Sequence, residues 1–118
     1  MSQTVKKIML FTLSACPMGR SMHTVIGELL ERKKNLAYEA VYVDVDHETT
    51  NRYRIKKNPT TLFLDAEGVE LYRIEGFKET EEVWDIFRQI ENGTLRSEAP
   101  QEENRETIET YTIYLFKN

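Results

Sequence analysis

Only one cysteine, Cys16, occurs among the 118 residues. No intramolecular disulfide can form, so a disulfide framework and a multi-cysteine metal site are both excluded. A lone free thiol fits a reducing compartment, and a cytoplasmic setting is expected. Long apolar runs are also absent, and none approaches the roughly 18 residues that span a bilayer. The N-terminal MSQTVKKIMLFTLSAC contains a short apolar run that leads directly into Cys16-Pro17. It reads as a first strand, because a signal peptide carries a longer apolar stretch and then a cleavage site. Cations are not in excess. The net charge of −4 gives no electrostatic reason to expect nucleic acid or a membrane surface as partner. Histidine is scarce, with His23 and His47 alone. His47 lies near Asp44, Asp46 and Glu48, but strand alternation would send neighbouring side chains to opposite faces. No metal site is expected there.

What is present suits one compact α/β domain. Apolar residues make up 40% of the chain, enough for a real core. Residues 7–13, KIMLFTL, form a continuous apolar strand, the pattern of a strand covered on both faces. Pro17 can occupy a first helical turn. Met22, Val25, Ile26, Leu29 and Leu30 then line one face of a helix, closed by the cations of ERKKN. AVYVDVD (40–46) reads as a second strand and Glu48–Arg54 as a short helix. TTLFLD (60–65) and VELYRI (69–74) flank an AEG turn and read as an antiparallel hairpin. Thr80 is the expected cap of a last helix, with Glu81 and Glu82 in its first turn. Val83, Ile86, Phe87 and Ile90 form its inner face, and Trp84 is an expected anchor. The order is βαβαββα, with the first two strands parallel through a right-handed crossover. This domain takes in residues 1–96. Residues 97–108 are polar and read as a linker. Residues 109–118, ETYTIYLFKN, alternate and read as an extra strand. Such a strand must add to a sheet edge, its own or that of a second copy, which makes a homodimer an option.

The element order, with Cys16 at the first strand–helix junction, resembles the thioredoxin/glutaredoxin superfamily. YRIKKNPTTLFLDAEGVELYRIEGF is similar to the family stretch Y-x-I-x-x-x-P-T, with Tyr53, Ile55, Pro59 and Thr60 in the matching places. The resemblance implies a thioredoxin fold over roughly residues 5–93. It also implies a cis peptide bond before Pro59, beside the active cysteine. The departures bear on function. The family's C-x-x-C ends here in Gly19, its Trp before the first Cys is Ala15, and its buried acid six residues earlier is Leu10. Cys16-Pro17 is similar to the C-P-x-C of glutaredoxins. Yet their basic residue is absent, since Leu13 and Ser14 stand there, and their T-V-P is Lys57-Asn58-Pro59. Their Gly-Gly-x-acid-acid motif is Gly76-Phe77-Lys78-Glu79-Thr80.

Cys16 has two readings. At a helix N-terminus, free backbone N–H groups and the dipole favour a thiolate, and Arg20 one turn on would act in the same direction. Thiol–disulfide exchange also needs a second thiol to release the mixed disulfide. That thiol must come from outside the chain: a small-molecule thiol, a protein thiol or a second copy. In this reading Cys16 is the nucleophile. Pro17, Asn58, Pro59 and Thr60 present the substrate, Arg20 stabilises the thiolate, and no cofactor is needed. In the other reading Cys16 is packing, and the domain is a redox-inactive binding module.

Overall fold

The structure is a computed structural model and describes residues 4–95. The expected linker (97–108) and terminal strand (109–118) lie outside the described residues. Seven elements follow one another: β1 (Lys7–Thr12), α1 (Pro17–Arg32), β2 (Ala37–Tyr42), α2 (His47–Arg52), β3 (Thr60–Leu64), β4 (Glu70–Glu75) and α3 (Thr80–Glu91). The four strands make one mixed sheet in the order β2-β1-β3-β4. β1 runs parallel to β2 and antiparallel to β3, and β3 and β4 form the hairpin.

β1 is apolar from Ile8 to Phe11 because both its faces are covered there. Ile8 and Leu10 point to a core shared with Met22, Val25, Ile26 and Leu29 of α1 and Val83, Phe87 and Ile90 of α3. Met9 and Phe11 point the other way, to Val41, Leu62 and Leu64, with Val43, Tyr53 and Ile55 half-covering them. Of the inner positions expected on the two long helices, Leu30 and Ile86 are only partly buried. Trp84 stacks on Phe87 with ring centroids 5.6 Å apart, and the Arg32 guanidinium lies 5.7 Å from its ring.

The second strand differs from expectation. It runs Ala37–Tyr42, starting three residues and ending four residues earlier than the valine alternation suggested. Parallel pairing sets this, since Lys7 faces Ala37 and Thr12 faces Tyr42. The chain then turns, with the N–H groups of Val45 and Asp46 donating to the Tyr42 carbonyl. Asp44 and Asp46 are therefore beyond the strand, and Asp46 caps α2 by accepting from the Thr49 N–H at 3.0 Å. The cap of α3 is Glu79, not Thr80. The Glu79 N–H donates to the Glu82 carboxylate, while the Thr80 hydroxyl reaches Glu28 on α1.

β4 contains a bulge. Phe63 faces Tyr72, but Leu64 faces Glu70. Two residues of β4 thus oppose one of β3. The odd spacing brings Glu70 and Arg73 onto the α2 side of the sheet, where they pair at 2.7 Å.

Candidate functional site

Cys16 sits where β1 hands over to α1. Its N–H donates to the Leu13 carbonyl at 3.3 Å, closing a turn, and its own carbonyl accepts the first helical bond from Arg20 at 3.1 Å. It is the N-cap residue, in an extended conformation, and Pro17 follows it as the first helical residue. Pro suits that place, since its missing N–H would have no intrahelical partner anyway. No side chain caps the helix, and its first turn holds no acid. The positive end of the α1 dipole is therefore left to the half-buried thiol.

Asp44 anchors the loop before Cys16. Its carboxylate accepts from the Ser14 N–H at 3.1 Å and from the Ser14 hydroxyl at 2.7 Å. The Ser14 hydroxyl is the main cause that holds the Asp44 carboxyl below its ordinary range. Beyond this loop a cleft of about 390 Å³ opens between α1 and the β1–β2 pair, lined by Thr12, Cys16, Gly19, Arg20, His23 and Tyr42 among others. Arg20 is exposed. His23 is held through Nδ1, 2.7 Å from the Tyr38 hydroxyl. Burial, with Tyr42 as a second cause, pushes the Tyr38 phenol up to about 12, so it stays neutral.

The other loop comes from β3. The Asn58–Pro59 peptide is cis. Thr60 pairs with Phe11, so Pro59 lies at the same end of the sheet as Thr12. Asn58 is exposed and Pro59 buried, and the Pro59 carbonyl accepts from the Gly76 N–H at 2.8 Å. Thr60 revises an expectation. It is 0% exposed, and its hydroxyl donates to the Lys57 carbonyl at 2.6 Å. Its side chain orders the loop and is closed to a substrate. Arg73 braces the preceding segment by donating to the Tyr53 carbonyl at 2.8 Å and the Arg54 carbonyl at 3.3 Å.

The cleft thus gathers Cys16 and Arg20, whereas Pro17, Asn58, Pro59 and Thr60 are not among its lining residues. The cleft opens on the β2 side of β1 and the cis loop on the β3 side. Two residues escaped sequence reasoning. Asp44 looked like a strand position. Thr12 looked like the end of an apolar run, yet it is the surface against which Gly19 packs. A glycine in the first turn of a helix was the one available signal.

The family profile of the thioredoxin-like domain matches residues 1–91. Among solved structures, the chain is similar to chloroplastic thioredoxin z at 26% identity and a TM-score of 0.62, covering 74% of this chain and 79% of that one. It is also similar to the thioredoxin of Fasciola hepatica, at 18% identity and a TM-score of 0.64 over 75% and 83% of the two chains. Thioredoxin-2 of the malaria parasite aligns at 14% identity and a TM-score of 0.64 over 75% and 97%. No curated protein is similar to it in sequence. With its strand order, its cis Asn58–Pro59 peptide and Cys16 opening α1, the chain belongs to the thioredoxin-like domain family.

Proposed function

We propose that the protein is a monothiol thiol–disulfide exchange protein acting through Cys16. The observation that carries this reading is the half-buried Cys16 at the uncapped N-terminus of α1. The Cys16 thiolate attacks one sulfur of a disulfide, forming a new S–S bond and expelling the other sulfur as a thiolate that takes up a proton. An external thiolate then attacks the substrate's sulfur in the mixed disulfide and frees Cys16. No net oxidant is needed, because each step exchanges one S–S bond for another. Pro17 starts the helix at whose N-terminus Cys16 sits, and Arg20 adds a cation at the cleft mouth. Asn58 and the Pro59 peptide present the partner's backbone. Leu13 and Met18, 41% and 48% exposed, offer apolar contact to a protein substrate. The reading calls for a reducing setting such as the cytoplasm, where external thiols are at hand.

The test is mixed-disulfide formation with glutathione disulfide, read by mass spectrometry, together with insulin-disulfide reduction in dithiothreitol. Both should proceed with the native chain; in Cys16→Ser the adduct should be absent and insulin reduction should fall to the rate of dithiothreitol alone. A native chain that acquires no adduct while folded would overturn the reading. A binding-only module is the competing function, favoured by the buried Leu10 in place of the family's acid. It predicts partner capture that Cys16→Ser leaves intact.

A further inference from the structure

Gly19 occupies the place of the family's second thiol and borders the cleft, but the direction a side chain would take is blocked by Thr12. A Cβ built on Gly19 would overlap Thr12 Oγ1, and would stand 2.9 Å from Thr12 Cβ and 3.3 Å from Thr12 Cγ2. Real Cβ atoms essentially never come within 3.0 Å of a non-bonded heavy atom. Turning Thr12 about its Cα–Cβ bond would move Oγ1 away but leave Cβ where it is. That Cβ is fixed by the sheet, since Thr12 ends β1 in register with Tyr42. Thr12 is 5% exposed and borders the cleft, so its hydroxyl can turn but its Cβ stays against position 19.

The backbone spacing by itself would allow a disulfide. Residues three apart at a helix start have Cα atoms about 5 Å apart, inside the range that an S–S bond accepts. The obstruction is a side chain on a neighbouring strand.

We infer that Thr12 closes position 19 to any side chain, so that a resolving thiol cannot be seated in that place without a change at Thr12, and release of a mixed disulfide stays intermolecular. This rests on the exchange reading above, but the steric claim is testable apart from it. Thr12 touches no reacting atom. It is a positioning residue that acts by filling the place of a second thiol.

The experiment compares Gly19→Cys, Thr12→Gly/Gly19→Cys and the native chain. Each is oxidised with diamide, and free thiols are then counted. Gly19→Cys should keep both thiols free while folded. The double variant should close an internal S–S bond, losing both thiol hydrogens to the diamide. Loaded with a glutathione adduct, the native chain should release it at a rate proportional to added thiol. The double variant should release it at a rate independent of added thiol, as the introduced thiol displaces glutathione. A folded Gly19→Cys that closes its disulfide readily would overturn the inference, as would a folded double variant that does not. Should Gly19→Cys fail to fold, Gly19→Ala, Thr12→Gly and their combination decide by thermal melting. The inference expects Thr12→Gly to recover most of the loss in Gly19→Ala, a coupling that independent sites would not show. A native chain that never forms the glutathione adduct would sink the exchange reading, yet the diamide result would still judge Thr12.

Discussion

Two loops meet at one end of the sheet, and they are held in opposite ways. The loop around Pro59 is tied down: Gly76, Thr60 and Arg73 all bond to its carbonyls or those just before it. The loop around Cys16 is fastened by a side chain behind the cysteine, where Asp44 holds Ser14, and otherwise by the backbone turn from Leu13 to Cys16. Ahead of it lies an uncapped helix end. Stability resides in the first of these loops and reactivity in the second. The β3 loop consumes its own polar groups in structure, and the β1 loop keeps a thiol and a helix terminus unspent.

Mutations should separate along this line. The largest effect is expected from Cys16→Ser, which removes the only thiol and should abolish mixed-disulfide formation while leaving the melting temperature nearly unchanged. Arg73→Met attacks the braced loop. It leaves Glu70, 12% exposed, and the Tyr53 carbonyl without that guanidinium. Truncating one side of a largely buried pair costs about 2–3 kcal/mol here, measurable as a fall in urea midpoint. Iodoacetamide labelling of Cys16 under native conditions should persist. Thr60→Val deletes the hydroxyl bonded to Lys57 and should cost about 1 kcal/mol, again on stability before thiol chemistry. The smallest effect belongs to Asp44→Asn and depends on pH. Asp44 is held below its ordinary carboxyl value of 3.8, so its bonds to Ser14 stabilise the fold fully above about pH 4 and lose that effect as pH falls through the depressed value. The melting-temperature gap between native and Asp44→Asn chains should therefore be widest near neutrality and close in acid. Parallel falls in thiol labelling and stability for Arg73→Met and Thr60→Val would erase the contrast between the loops.

Much of this was legible in the residues. The continuous apolar run of β1 announced two covered faces, and the spacing from Met22 to Leu29 announced the buried side of α1. Cys16, Pro17 and Pro59 carried the resemblance to the family. What escaped notice depended on pairing between distant segments. The valines near residue 43 alternate as a strand should, but the parallel register with β1 ends that strand at Tyr42. Asp44 and Asp46 are then released to hold a loop and cap a helix. Thr60 matched the family by position, yet only the folded chain shows its hydroxyl turned onto Lys57. The contact between Thr12 and Gly19 joins a strand to the helix that follows, and local periodicity says nothing of it.

The bulge in β4 has a consequence for how the chain can vary in length. Between Glu70 and Arg73 one residue is surplus to the ladder, because Leu64 and Phe63 take Glu70 and Tyr72 as partners. Removing that residue would restore even parity and still leave the charged pair together on one face. A deletion in β1 has no such slack, since it would exchange Met9 and Phe11 for Ile8 and Leu10 across the sheet. Parity alone therefore tolerates a lost residue in β4 and not in the strand bearing the thiol loop, although the residue lost from β4, Leu71, would be a core side chain.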